Sequence, residues 1–163
     1  MKFLDIFFLF RLFSVLVYFM LASQGGFYLL SFHKVLQNLP SKNFIEIRKS
    51  IDHVIEAPLK ILYPGGFLMM LIWLLIIDRA PDVWGYGLLV LSFVLLATDL
   101  ILAVKVSIPL NRTIHNVVTE SGGQAIRIQK KWLKFIFIRG CLSISGFIFL
   151  ILHMMIRMEM HHA

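Results

Sequence analysis

The sequence predicts an all-α integral membrane protein, an antiparallel four-helix bundle whose helices extend into the cytoplasm. Three observations lead there. Of 163 residues, 59% are hydrophobic and only 15% charged, with a mean hydropathy of +0.83, whereas a soluble domain carries about 25% charged residues. Four stretches, 12–33, 61–77, 83–104 and 140–156, contain no Asp, Glu, Lys or Arg except Asp99. The basic residues concentrate in two of the connections between them. A helix rises about 1.5 Å per residue and the hydrocarbon layer is about 30 Å thick, so a span needs about 20 residues. The second and fourth stretches fall short and must extend into their flanks. The expected spans are therefore about 10–36, 58–77, 84–106 and 135–157, in a single domain covering 1–163.

The first span follows Lys2 and Arg11 and so resembles a secretory signal. Its apolar run is longer than a signal core, however, and the small residues at 22–26 lie inside it, so it reads as a retained helix. After the breaker Leu39, Pro40, Ser41, residues 43–57 form an amphipathic segment. Glu46, Lys49, His53, Glu56 and Lys60 mark its polar face, and Phe44, Ile47, Ile51, Val54, Ile55, Pro58 and Leu62 the apolar one. Asn43 and Glu46 have capping-box spacing. Pro58 and Pro64, followed by Gly65 and Gly66, are expected to kink the helix.

The third helix is expected to continue through Pro109 to about Glu120 and to stop at Ser121, Gly122 and Gly123. The fourth then begins near Ile126, with Arg127, Lys131 and Lys134 on one face and Ile128, Trp132, Phe135 and Ile136 on the other. Residues 107–134 thus form a second amphipathic segment.

The net charge of +7 is explained by topology rather than by nucleic acid, for which no motif is present. Lys34, Lys42, Arg48, Lys49 and Lys60 lie between the first two spans, and Lys105, Arg112, Arg127, Lys130, Lys131 and Lys134 between the last two. Only Lys2, Arg11, Arg79 and Arg157 lie on the other side. The positive-inside rule therefore places the long connections in the cytoplasm and both termini outside, with a bacterial inner membrane as the expected location. The lipid bilayer is the first partner implied, and anionic headgroups suit the basic connections.

Ionisable residues inside spans are costly and mark candidate sites. Asp99 lies roughly 7 to 8 Å inside the expected boundary, and Arg139, about one turn into the fourth helix, has an overlapping depth. An ion pair is the natural neutralisation, and these two are the candidate catalytic residues. Arg139 shares a helical face with Trp132, Ser143 and Gly146, and Gln24, Tyr28 and Ser31 share a face of the first helix. Interhelical glue is the alternative to a ligand pocket. Asn111 joins Gln24, Tyr28, Trp132 and Ser143 as a candidate ligand-binding residue; it lies about 120° from Asp99 on an ideal helix, so convergence calls for a bend at Pro109.

His33, His53 and His115 fall in one layer but lack paired ligand spacing, so water-facing side chains are expected over metal or haem ligation. The tail carrying His153, Met158, His161 and His162 is rich in donors that suit copper, against the plainer reading of a frayed helix end. The single cysteine, Cys141, excludes an intramolecular disulfide and reads as a small buried residue. No hydrolase triad, phosphate loop or dinucleotide-binding glycine pattern occurs. No cofactor is expected, with haem or copper as the alternatives.

Gly25, Gly26, Phe27 and Tyr28, then Pro40 with Phe44, then Pro109, Leu110 and Asn111, then Trp132 and Arg139, resemble the anthrone-oxygenase-like family of four-helix membrane proteins, largely a domain of unknown function. The resemblance covers nearly the whole chain. It implies a small integral membrane protein and, for some members, oxidation of a polycyclic aromatic substrate without an evident cofactor motif. Gly26, Phe27, Tyr28 and Leu29 more distantly resemble the copper-resistance-D-like group, which includes a haem-binding membrane protoporphyrinogen oxidase. The histidine that group carries early in the first helix has no counterpart here, where Ser14 is the polar residue.

The expected function is binding of a small hydrophobic aromatic or quinone-like molecule within the bundle, with oxygenase or oxidoreductase activity in view. Asp99 would accept a proton or pair with Arg139, Arg139 would stabilise a developing phenolate or enolate, and Asn111 and Tyr28 would orient the ligand. The alternative is a non-enzymatic accessory subunit or a copper- or haem-handling protein, assembled as a homo-oligomer or in a larger membrane complex.

Overall fold

A computed structural model of the chain describes residues 2–77, 83–117 and 122–162, with side chains for 6–77, 83–117 and 123–157. Every element is helical. α1 (Lys2–Phe27) passes through a π-helical turn (Tyr28–Phe32) into α2 (His33–Asn38). α3 (Ser41–Ile72) ends in a second π turn (Trp73–Ile77). α4 (Val83–Leu102) passes through a third (Ala103–Ser107) into α5 (Ile108–Asn116), and α6 runs from Gly122 to His162. The four resulting rods are long and apolar enough to cross a bilayer over Ile6–Asn38, Ser41–Ile77, Val83–Asn116 and Gly123–Arg157. Their outer surfaces are apolar as well. Leu30, Ile61 and Trp84 are 86%, 76% and 83% exposed, which is the pattern of helices solvated by lipid. The chain is an integral membrane protein.

α6 is the hub, packing along α4 and α1 and touching α2, α3 and α5 as well. Its crossing with α1 is made at glycine. A Cβ on Gly25 would meet Ser143 Oγ at 2.7 Å and the Gly140 backbone at 2.8 Å, so the two main chains touch. Such close approach maximises dispersion contact where lipid removes the hydrophobic drive for helix pairing. Farther along, Tyr18 lies over Gly146, where a Cβ would overlap its hydroxyl, and Tyr18 donates to the Ser92 carbonyl at 3.1 Å.

Two cores result. Tyr18, Leu21, Tyr63, Met70, Trp73, Leu89, Leu96 and Leu150 pack together within the spans. Leu36, Phe44, Ile45, Leu110, Ile114, Ile128, Trp132 and Leu133 pack where α2, α5 and the beginnings of α3 and α6 meet. Gln129 locks this end by donating to the carbonyls of Leu36 and Leu39 at 2.8 and 3.1 Å, while Ser41 donates to its side-chain oxygen at 2.7 Å. These carbonyls belong to the end of α2, where no later turn can satisfy them.

Several expectations are corrected. α3 begins at Ser41 behind Pro40, with no side-chain cap, so Asn43 and Glu46 form no capping box; Phe44 N–H bonds the Pro40 carbonyl at 3.0 Å. α3 is continuous through Pro58 and Pro64, and a change of winding that the sequence did not announce falls at Trp73–Ile77. The third rod ends at Asn116, with Val117 extended, rather than near Glu120. The expected stop at Ser121 lies outside the described residues, and α6 begins at Gly122 rather than Ile126. The buried face of the amphipathic segment is also rotated. Val54 is 73% and Ile47 37% exposed, whereas Arg48 and Asp52 are buried. Cys141 is exposed, not buried.

Candidate functional site

Asp99 is fully buried on α4, and Arg139 reaches it from α6 with Nε donating to Asp99 Oδ1 at 2.6 Å. Tyr63 of α3 closes the set. Its hydroxyl donates to Asp99 Oδ2 at 2.8 Å and accepts from Arg139 Nη2 at 2.6 Å, and the guanidinium carbon lies 5.4 Å from its ring centre. Arg139 Nη1 donates to the Ser107 hydroxyl at 3.2 Å. Both carboxylate oxygens are thereby satisfied, which is what keeps a buried charge affordable in apolar surroundings.

A second charged set lies nearer the other core. Arg48 pairs with Asp52 one turn along α3, and its guanidinium carbon sits 4.3 Å from the centre of the Trp132 ring. Arg48 Nη1 donates to the Tyr28 hydroxyl at 3.4 Å, Asn111 Nδ2 donates to Asp52 Oδ1 at 3.3 Å, and Trp132 Nε1 donates to Asn111 Oδ1 at 3.0 Å. The indole fixes which way the Asn111 amide faces, and the amide in turn steadies Asp52. His115 Nε2 stands 3.7 Å from Asp52 Oδ2.

Residues of both sets line a cavity of about 80 Å³, with room for roughly half a dozen water-sized groups. Gln24, Tyr28, Asn111, Trp132, Arg139 and Ser143 all line it, beside Arg48, Asp52, Tyr63 and Ser107. Leu21, Ile55, Leu59, Phe135 and Ile136 form its apolar wall. The structure thus brings together every candidate ligand-binding residue. Asp99 does not line the cavity; it is hydrogen-bonded to Arg139 and Tyr63, which do.

The winding of the third rod explains how Asn111 joins the site. A π turn inserts one extra residue, so residues beyond it present the face of the preceding position. With the turn at Ala103–Ser107, the nominal 120° between Asp99 and Asn111 shrinks to about 20°. The turn immediately precedes Pro109, whose missing N–H leaves the winding there free to change. The corresponding turn in the first rod, Tyr28–Phe32, has the opposite consequence for Ser31, which is exposed and off the face of Gln24 and Tyr28.

Arg48, Asp52, Tyr63 and Ser107 are site residues that the sequence reading missed. The available signal was the opposite charge of Arg48 and Asp52 at i, i+4, flanked by Phe44, Ile45, Ile51 and Ile55. The histidines do not converge. His53 is exposed, His33 lies edge-on to Phe137 with ring centres 5.8 Å apart, and among the described residues no group of three His, Cys, Asp or Glu side chains is placed to hold a metal. His153 belongs to the core rather than to a loose tail: it is 1% exposed, packs edge-on to Trp73 and donates from Nδ1 to the Gly85 carbonyl at 2.7 Å. The side chains of Met158 and His161 lie outside the described residues.

Comparison of the chain with protein-family models, curated proteins and solved structures returned no match.

Proposed function

We propose that this membrane protein binds the polar end of a small aromatic or quinone-like molecule in the cavity lined by residues of both charged sets. The observation that carries the reading is the joint placement of two arginines, Asp52, Tyr28, Asn111 and Trp132 around one cavity with an apolar wall. Small-molecule sites combine such a wall with a few convergent polar groups. The Trp132 and Tyr28 rings, 5.6 Å apart between centres, suit the edge of a flat ring. The cavity as it stands accepts one ring edge, with the remainder of a larger ligand extending along Leu21, Ile55 and Leu59 toward lipid.

Arg139, which lines the cavity, uses three of its five N–H donors on Asp99, Tyr63 and Ser107. A guanidinium there would stabilise the phenolate or enolate formed when a bound ring loses a proton, and oxidation of that anion would need an external oxidant such as dioxygen. Membership of the anthrone-oxygenase-like family is part of the same proposal. So are an antiparallel arrangement with both termini outside and a cavity on the cytoplasmic side, which the distribution of Lys and Arg supports.

The test is equilibrium dialysis of 2-naphthol and 1,4-naphthoquinone against the full chain in lipid nanodiscs, with empty discs subtracted. Saturable binding of either probe at one site per chain, lost in Ile55→Trp, is expected. Purely linear partitioning, or saturable binding untouched by Ile55→Trp in a variant that remains folded, would overturn the reading.

A further inference from the structure

The first turns of α6 carry an unbalanced charge. Arg127, Lys130, Lys131 and Lys134 fall at i, i+3, i+4 and i+7, so they share one face of the helix within about 100°, and all four are exposed. The opposite face is the buried one, with Ala125, Ile128, Gln129, Trp132 and Leu133. Alongside runs α2, tied to α6 by the bonds from Gln129 to the Leu36 and Leu39 carbonyls and by the contact of His33 with Phe137, and it adds the exposed Lys34. Neither α2 nor α6 before Glu159 contains an Asp or Glu, and none of these five bases pairs with a described carboxylate. Glu120, just ahead of α6, lies outside the described residues. α3 differs, because its Lys60 pairs with Glu56 and its Arg48 with Asp52.

Depth narrows the partner. Beyond Lys134, the exposed side chains of α6 as far as Arg157 are Phe137, Cys141, Ile148, Leu152 and Met155, none of them charged. The hydrocarbon edge therefore falls between Lys134 and Phe137, and the basic stripe rises about 10 Å from it, against a headgroup layer of about 5 to 8 Å. The long Lys stems bridge that difference. A soluble acidic protein or an RNA would have to enter the headgroup layer to reach Lys134, whereas lipid phosphates already lie there. A choline headgroup carries its own cation, so only a lipid of net negative charge relieves the repulsion among the bases.

We infer that the face formed by α2 and the start of α6 is a binding surface for anionic phospholipid, with Lys130, Lys131 and Lys134 taking the headgroup phosphates. The surface is separate from the cavity and does not depend on what the cavity binds. Lipid held there braces the stretch of α6 whose inner face carries Gln129, the tie to α2, and Trp132, which lines the cavity.

The experiment is thermal unfolding of the full chain, followed by tryptophan fluorescence, in dodecylmaltoside micelles doped with either phosphatidylglycerol or phosphatidylcholine. Phosphatidylglycerol should raise the unfolding temperature of the wild type by about 2–4 °C over phosphatidylcholine. The triple variant Lys130→Gln, Lys131→Gln, Lys134→Gln should lose most of that shift. Lys42→Gln, Lys49→Gln, Lys60→Gln removes the same charge from α3 and should keep it. If the first triple variant does not fold, Lys134→Gln alone decides by a reduced shift. No shift in the wild type, or an equal loss in both triple variants, overturns the inference. So does an equal shift on adding tRNA to phosphatidylcholine micelles, which would make the stripe a surface for a soluble polyanion.

Discussion

Asp99, Arg139 and Tyr63 bond one another in the apolar part of the bundle, so substitutions there test how the pair is held. Removing one member of a buried pair strands the other charge, so Asp99→Asn and Arg139→Met should each lower unfolding stability in detergent by about 3–5 kcal/mol. The double variant should lose less than the sum, because contacting residues are not additive. Tyr63→Phe removes a hydroxyl that bonds both partners and should cost about 1–2 kcal/mol, between the soluble-protein and membrane-protein values for such bonds. Thermal unfolding of the four variants measures all three effects, and strictly additive losses at Asp99 and Arg139 would contradict the contact. Asp99 and Arg139 were legible in the sequence because a charge within an apolar run is conspicuous. Tyr63 and Ser107 were not, since neither residue type stands out in a span. Arg48 and Asp52 escaped for another reason: in a segment rich in exposed charges their one signal, opposite charge at i, i+4 among apolar neighbours, is weak, and Glu56 and Lys60 share the spacing while staying exposed.

Helix pairing is decided by small local features. Gly25 and Gly26 are adjacent and chemically identical, yet a methyl group on Gly25 would strike the α6 backbone while one on Gly26 meets nothing within 4 Å. Gly25→Ala should therefore destabilise by about 1–3 kcal/mol through overpacking. Gly26→Ala should be neutral, or stabilising by up to about 1 kcal/mol through helix propensity. Paired unfolding curves in one detergent would show the contrast, and equal behaviour would argue against the α1–α6 crossing. Gln129→Ala should cost about 1–3 kcal/mol by leaving the Leu36 and Leu39 carbonyls unsatisfied, with early exchange of the α2 amides as the local readout. The helices were legible as long apolar runs, but the π turns were not. Their effect is a rotation of about 100° in everything that follows, and it depends on which packing partner each face meets. That rotation sets Asn111 beside Asp52 and turns Ser31 away.

The molecule as a whole is organised around α6, which contacts the other five helices, and the cavity lies where its span region gives way to its amphipathic beginning. Sidedness is the prediction that belongs at this scale. A reporter joined after Ala163 should read as external and one inserted within 121–124 as cytoplasmic, because the long connections hold most of the Lys and Arg. The reverse pattern would place the cavity on the other face of the membrane.

Composition and charge spacing by themselves determined that this chain is helical, that four of its segments suit a bilayer, and which charges within those segments need partners. Each of these follows from local properties: transfer energy per residue, helix rise and the cost of an unpaired charge in hydrocarbon. Tertiary structure alone decided the second ion pair, the inward face of α3, the burial of His153 and the lipid-facing position of Cys141. In lipid, apolar residues are equally at home on a bundle's surface and in its interior. Hydrophobic patterning therefore loses its power to say which face is buried, and close backbone approach, helix winding and hydrogen-bond satisfaction decide instead.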